Sequence, residues 1–205
     1  MRQLVSAVLG LALAACGPGA GGGNEAAAQG GGEAAFVESC VARYVAQSEQ
    51  ARQWAPEQCA QEWGLVVAAG PVAEAILAGA NGTMPAAGRM NGNIDVEVNA
   101  GAHTAVFSWS AVGEPIPYDV VSALDQRGAS PSMIGCSQVG VGEFSSAYRV
   151  TPQGATPFQI SIYRREAPTG DAWSFYTVTA DFSGRIQTRA QLASDGSTWT
   201  DACAY

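Results

Sequence analysis

The chain has 205 residues, with 10 basic residues, 18 acidic residues and one histidine, so its formal net charge is −8. Apolar residues make up 47% and charged residues 14%, which suits one packed core and excludes a strongly disordered chain. The acidic balance argues against nucleic acid as a partner, because phosphate neutralisation needs clustered Lys or Arg. Since His103 is the single histidine, a metal site built on several histidines is excluded. We predict no cofactor.

The N-terminus has the pattern of a secretory signal. Arg2 supplies a positive charge, and an apolar run covers residues 4–15. This run is too short for a stable transmembrane helix and has the length of the hydrophobic region of a signal peptide. The pattern predicts export, with residues 1–15 removed.

The run ends in Leu13-Ala14-Ala15-Cys16, which resembles the lipobox of bacterial lipoproteins. The resemblance implies cleavage before Cys16, acylation of its thiol and stable membrane anchoring without a transmembrane helix. Gly17 stands where many inner-membrane lipoproteins carry Asp, so the resemblance implies the outer membrane, facing the periplasm. An ordinary secretory signal is the alternative, because Ala12-Leu13-Ala14 also fits a small-x-small cleavage site.

Residues 16–34 are predicted to be the acylated cysteine and a flexible tether. Residues 17–34 contain eight glycines and no aromatic residue, so they cannot bury enough apolar area to become ordered. A Gly-rich chain of this length spans roughly 23 Å on average. The tether would hold a folded domain above a membrane surface.

Residues 35–80 form the predicted helical segment, with helices at about 34–54, from Pro56 onwards and at 72–78. Apolar residues repeat at helical spacing on the first two helices. The faces are Val37, Val41, Tyr44 and Val45 on the first, and Cys59, Trp63, Val66 and Val67 on the second.

Two disulfides are predicted from the cysteines. Cys40 and Cys59 lie on consecutive helices, and a short connection makes these helices antiparallel neighbours, so we predict a structural disulfide between them. There is no Cys-x-x-Cys to favour a redox pair. If Cys16 carries lipid, Cys136 and Cys203 remain as the second pair, although other pairings of the four cysteines are formally possible.

Residues 90–205 form the predicted sheet region, and residues 78–92 are predicted to be a linker or long turn. Apolar residues alternate with polar ones in several stretches, which is typical of half-buried strands. The predicted strands are 94–98, 105–111, 137–150, 158–163 and 173–182, with a helix at 117–127. Both faces of 173–182 are partly apolar, so this strand is predicted to be central and covered on both sides. The fold class is α+β: a disulfide-linked helical hairpin on an antiparallel sheet that carries one further helix, in one domain.

Few residues of the sequence suggest catalysis or binding. His103 lies in a predicted turn, and a general base there would need a partner that only folding could supply. Aromatic and arginine side chains cluster later in the chain and form the candidate binding surface, because such residues are typical of interface hot spots. They are Tyr163, Arg164, Arg165, Trp173 and Tyr176.

Three functional hypotheses follow. The first is a non-catalytic envelope module that binds a protein or a polysaccharide near the membrane. The second is a carrier of a small apolar ligand, held between the sheet and the helices. The third is a hydrolase that uses His103.

Overall fold

The computed structural model describes residues 32–111, 117–166 and 174–201. The helices are α1 (Gly32–Gln47), α2 (Ala55–Ala68), α3 (Gly70–Ala80), α4 (Pro117–Gln126) and α5 (Arg189–Leu192), with 3₁₀ helices at Glu49–Gln53 and Ala193–Asp195. The strands are β1 (Gly88–Met90), β2 (Ile94–Asn99), β3 (Thr104–Ala111), β4 (Pro131–Gly140), β5 (Glu143–Val150), β6 (Phe158–Glu166) and β7 (Ser174–Asp181).

The seven strands form one sheet in the order β1-β2-β3-β7-β6-β5-β4, and every neighbouring pair is antiparallel. Two meanders, β1–β3 and β4–β7, are joined through α4, which carries the chain from β3 to the far edge at β4. Strand β7 then returns to pair with β3 and closes the sheet in the middle. The predicted α+β fold class is confirmed.

One face of the sheet is apolar and carries the helices. Phe107, Val178 and Ile162 lie in one row across β3, β7 and β6, and each is at most 2% exposed. The buried residues of α2, α3 and α4 belong to the same hydrophobic core. The helix residues at its centre are Val66, Val72, Ala73, Ile76, Val120, Ala123 and Leu124. Because strand side chains alternate, the intervening residues lie on the opposite face, which we call the open face.

The helical layer is linked at its N-terminal end by the predicted disulfide. The Cys40–Cys59 bond is present, which confirms the prediction. It joins α1 to α2, and a bond that closes a loop of this size stabilises a fold by about 3 kcal/mol in the chain-entropy model. Among the described residues no single helix has the length and hydropathy to span a membrane; α2 and α3 together meet such a criterion by length and composition, with a 47° bend between them.

The helix boundaries differ from the prediction. Helix α1 begins at Gly32, inside the predicted tether, and ends at Gln47. Ser48 has extended backbone angles, φ −157° and ψ 124°, which break the helix and start the 3₁₀ turn that follows. On α2, Val67 was predicted to be buried but is 57% exposed, because the core contact of that turn is made by Val66.

Two hairpin turns account for the differences within the sheet. The predicted linker contains β1, which pairs with β2 through a tight turn where Asn91 and Gly92 have φ values of 50° and 81°. The single strand predicted over 137–150 is part of the β4–β5 hairpin. Gly142, with φ 69°, supplies the left-handed residue of its turn. Val141 lies at the tip and is 97% exposed.

Strand β7 is central, as predicted, but the expectation that both its sides are covered is wrong. Tyr176 and Val178 are buried under the helices, whereas Phe175 on the open face is 36% exposed. The apolar residue on the open side of β7 is therefore an exposed aromatic ring, and no helix of the described residues covers it.

The sheet edges are short or interrupted. Strand β1 has three residues, and β4 contains two register shifts, between Met133 and Gly135 and between Gln138 and Gly140. Cys136 on β4 exchanges two backbone hydrogen bonds of 2.8 Å with Thr200, so the C-terminal segment pairs with part of this edge. Cys136 is disulfide-bonded. Cys203 lies outside the described residues, so its pairing with Cys136 stays a prediction.

Two helix glycines provide a test of the packing. A Cβ added at Gly64 on α2 meets nothing within 4 Å, whereas one at Gly79 on α3 would lie 2.5 Å from Cζ of Phe182. Gly64→Ala should stabilise the protein by about 1 kcal/mol through helix propensity. Gly79→Ala should destabilise it, because the Phe182 ring packs against Phe158 and must shift. Urea unfolding midpoints measure both changes, and shifts of the same sign would contradict this packing.

Candidate functional site

The residues of the predicted binding surface do not share one surface. Successive residues of β6 alternate between faces, so Tyr163 and Arg165 lie on the open face while Arg164 lies on the helix-covered face. Arg164 is paired with Tyr176, which is 6% exposed and belongs to the core. Trp173 lies outside the described residues. The predicted cluster is therefore divided, with Tyr163 and Arg165 as its solvent-facing part.

A row of hydroxyl side chains crosses the open face. Ser108 on β3 is opposite Thr177 on β7, which is opposite Tyr163 on β6, and the row continues to Ser145 on β5 and Ser137 on β4. The hydroxyl oxygens of Ser108 and Thr177 are 3.5 Å apart. Neighbouring strands are about 4.8 Å apart, so the backbone positions that carry these side chains are evenly spaced. We call these five residues the hydroxyl row.

An aromatic ring and an ion pair border the hydroxyl row. Phe175 and Arg165 lie in the next row of the open face, and Nε of Arg165 is 3.4 Å from Oε1 of Glu143. Burial, followed by the nearby Glu143 carboxylate, raises the pKa of Tyr163 above its ordinary value. Tyr163 therefore keeps its proton at neutral pH and can donate as well as accept a hydrogen bond.

The C-terminal segment covers one side of the open face. The Gln187 backbone N–H donates to Oε1 of Gln159 at 2.8 Å, and Arg189 donates to the carbonyl of Ile134 at 3.3 Å. Ser137 is 4% exposed and Ala147 is fully buried. The accessible part of the hydroxyl row thus runs from Ser108 on β3 to the half-exposed Ser145 on β5.

A second candidate site is a cleft on the other side of the sheet. Its volume is about 450 Å³, and it lies between α1, α2, α4 and the start of β4. The lining residues are Ala35, Phe36, Ser39, Cys40, Arg43, Glu62, Val66, Asp119, Val121, Ser122, Asp125, Gln126 and Pro131. We call this the helical cleft.

Glu62 organises one wall of the helical cleft. Its carboxylate accepts a hydrogen bond of 3.1 Å from Arg43 and one of 2.5 Å from the Tyr44 hydroxyl. The hydrogen bond to Glu62, assisted by burial, raises the pKa of Tyr44 above its ordinary value. The sulfur of Cys40 lies 3.4 Å from Oε2 of Glu62. The disulfide, the ion pair and the tyrosine thus hold α1 against α2 at one place.

His103, the residue of the hydrolase hypothesis, has no catalytic partner among the described residues. His103 lies in an exposed turn with φ 53°, and its backbone carbonyl accepts from the Phe182 N–H at 2.8 Å. No hydrogen bond or ion pair joins its imidazole to a nucleophile or carboxylate of residues 32–111, 117–166 and 174–201. The same residues include no group of three or more His, Cys, Asp or Glu that could hold a metal ion.

No model of a known protein family matches this chain, and no curated protein or solved structure is significantly similar to it. The two candidate sites therefore rest on the geometry of this chain alone.

Sequence reasoning missed both sites. The serines, threonine and tyrosine of the hydroxyl row are far apart in the chain, and only the strand order makes them neighbours. The sequence does show Ser, Thr or Tyr at alternate positions of the predicted strands. This pattern does not reveal which strands pair, so it cannot predict the hydroxyl row. The helical cleft combines residues of α1, α2 and α4, which no local spacing connects.

Glu62→Gln should lower the pKa of Tyr44 towards its ordinary value, because the charged acceptor is removed. An ultraviolet absorbance titration measures this, with Tyr44→Phe identifying the contribution of Tyr44 among the six tyrosines. Since the folded pKa is raised, the bond stabilises the fold below the unfolded value of about 10 and is lost as pH rises through the folded pKa. A titration curve of Glu62→Gln that is identical to the curve of the unmodified chain would contradict the Tyr44–Glu62 hydrogen bond.

Proposed function

We propose that the protein is a lipid-anchored, non-catalytic module of the bacterial envelope that binds a polysaccharide on the open face of its sheet. The lipobox-like sequence ending at Cys16 and the Gly-rich segment after it support the anchor. The observation that carries the binding proposal is the hydroxyl row, which lies on the face opposite α2, α3 and α4.

The chemistry of the open face suits a sugar polymer. Each Ser, Thr or Tyr hydroxyl both donates and accepts hydrogen bonds, as the hydroxyls of a sugar do. The strand spacing of about 4.8 Å is comparable to the length of one sugar ring, so a linear polymer lying across the strands would pass about one side chain of the accessible row per ring. Tyr163 within the row and Phe175 beside it supply aromatic rings for the apolar faces of sugars.

A protein partner is less well matched to this face. The cores of protein interfaces are enriched in Trp, Tyr, Met and Arg and depleted in Ser, and Ser and Thr are rare among hot spots. The row consists mainly of Ser and Thr, and its one neighbouring Arg is paired with Glu143. We therefore take the polysaccharide as the partner, and a protein as an outcome of the test.

The helical cleft is a poor site for the small apolar ligand of the carrier hypothesis. It expected a ligand held between the sheet and the helices, whereas the helical cleft lies among helices and has four charged residues in its lining: Arg43, Glu62, Asp119 and Asp125. A purely apolar ligand would take these groups out of water without replacing their hydrogen bonds.

The anchor is tested by labelling with radioactive palmitate in a bacterium that expresses the full chain. The unmodified chain should carry the label and sediment with membranes, and Cys16→Ala should carry none because the acylated thiol is missing. Gly17→Ala is the control and should remain labelled. A labelled Cys16→Ala chain, or an unlabelled original chain released in soluble form, would contradict the lipoprotein proposal.

Polysaccharide binding is tested with the full chain purified in detergent and sedimented with insoluble sacculi, or with soluble surface polysaccharide immobilised on beads. Thr177→Arg places a long charged side chain in the middle of the hydroxyl row and should weaken binding about tenfold or more, a loss of about 1.4 kcal/mol. Gln61→Arg, on the exposed surface of α2, adds the same charge and should bind normally.

Thermal unfolding shows whether both variants are folded, and Ser108→Ala provides a milder change at the same face. Equal binding by Thr177→Arg and Gln61→Arg, or capture of proteins without any polysaccharide, would overturn the proposal.

A further inference from the structure

We propose that Trp199, in the C-terminal segment, is a further polysaccharide-binding residue, which stacks against the sugar ring that lies over Ser145. This inference rests on the proposed function and adds an aromatic side chain at the β4 end of the hydroxyl row. It assigns a binding role to a segment that lies outside the regular strands of the sheet.

Strand pairing at the sheet edge places Trp199 next to Ser137. Thr200 and Cys136 form an antiparallel bridge, with two backbone hydrogen bonds of 2.8 Å. Ser137, which follows Cys136, is then opposite Trp199, which precedes Thr200. Opposite residues of an antiparallel pair point to the same side, so Trp199 lies beside Ser137 on the open face. The hydroxyl row therefore ends in an indole ring, about 4.8 Å beyond Ser137.

The burial of Ser137 agrees with an aromatic ring above it. Strand β4 is the edge of the sheet, yet Ser137 on its open face is 4% exposed. The hydroxyl oxygen of Ser137 is buried and has no hydrogen-bond partner among residues 32–111, 117–166 and 174–201. A polar cover would supply such a partner, whereas the face of an indole ring excludes water without supplying one. Trp199 itself is partly exposed, so part of its ring is accessible from solvent.

Hydrogen bonds within the C-terminal segment fix the orientation of the indole. Its N–H donates to the Ser197 hydroxyl oxygen at 2.9 Å. Ser197 donates from its hydroxyl and from its backbone N–H to Oδ1 of Asp195, at 2.5 and 2.9 Å. These two hydrogen bonds hold the pKa of Asp195 below its ordinary value, so the carboxylate stays charged at neutral pH. Because the N–H of Trp199 is already bonded, the ring face is the part that is left for a ligand.

A glycine on β4 allows the C-terminal segment to lie close to the sheet. A Cβ added at Gly135 would lie 3.0 Å from the carbonyl oxygen of Thr200 and 3.3 Å from Nε of Arg189. Arg189 also donates to the carbonyl of Ile134 at 3.3 Å. Trp199 is therefore held in place before a ligand arrives, and less conformational entropy is lost when a sugar stacks on it.

Tyr163 and Trp199 lie on the two sides of Ser145. Tyr163 is opposite Ser145 on the neighbouring strand, and Trp199 is two strand spacings away on the other side, about 10 Å. The half-exposed Ser145 thus lies between two aromatic side chains. A sugar ring has C–H groups on its faces and hydroxyls around its edge, so it can pack against a ring and bond to a serine at once.

The test measures binding of the full chain in detergent to sacculi or to immobilised surface polysaccharide. Trp199→Ala should weaken binding about tenfold, because tryptophan is enriched among the residues that dominate binding. Trp199→Tyr keeps an aromatic ring and should retain most of the affinity. Trp54→Ala is the control, since Trp54 is 48% exposed in the helical layer and packs against Tyr44, and it should bind normally. Thermal unfolding shows whether each variant is folded.

Two changes at Ser197 separate the orientation of the indole from its presence. Ser197→Ala removes the acceptor of the indole N–H and should weaken binding about threefold, whereas Ser197→Thr keeps a hydroxyl and should bind normally. The indole N–H resonance of Trp199 is identified by its absence in Trp199→Tyr. It should move in Ser197→Ala and stay close to its original position in Ser197→Thr.

Equal binding by Trp199→Ala and Trp54→Ala would overturn this inference. Tighter binding by Trp199→Ala would also overturn it, because Trp199 would then act as a cover over Ser137. Weak binding by Thr177→Arg with normal binding by Trp199→Ala would contradict the role of Trp199 and leave the proposed function intact. Absence of polysaccharide binding by the folded, unmodified chain would overturn the proposed function and this inference with it.

Discussion

The burial of one sheet face beneath α2, α3 and α4 is the constraint on which the arrangement of the open face depends. Phe107, Val178 and Ile162 cannot face the helices unless the residues between them face the other way. Their neighbours Ser108, Thr177 and Tyr163 are thereby placed together on the open face. A shift of one residue in any central strand would bury a hydroxyl and expose an apolar side chain, so the core also fixes the alignment of the hydroxyl row.

The helical cleft depends on a different set of contacts. Helix α1 contributes the partly buried Phe36 to the edge of the main core and is held mainly through α2. The Cys40–Cys59 bond, the Phe36–Trp63 ring contact at 5.3 Å and the hydrogen bonds of Glu62 provide that attachment. One wall of the helical cleft is therefore stabilised by local links, whereas α4, which forms another wall, is fixed by the hydrophobic core.

Periodicity predicted the fold class, the Cys40–Cys59 pair and the central position of β7, because each depends on local alternation or on neighbouring helices. It did not predict β1 or the β4–β5 turn, where the left-handed residues Asn91 and Gly142 reverse the chain within apparently continuous segments. The candidate binding surface was predicted from residues that are close in the sequence, but alternation along β6 and β7 places them on different faces of the sheet. The hydroxyl row and the helical cleft depend on strand register and helix packing, which bring together residues that are distant in the chain.

The short and irregular edges of the sheet would matter for copies of the chain that are anchored in the same membrane. In the proposed anchored state, neighbouring copies diffuse in two dimensions and collide far more often than they would in solution. Exposed strand edges would then polymerise into continuous sheets. The three-residue β1, the irregular register of β4 and the pairing of Cys136 with Thr200 leave little regular edge to extend. If the chain is anchored as proposed, its domains could be crowded together and still present separate open faces.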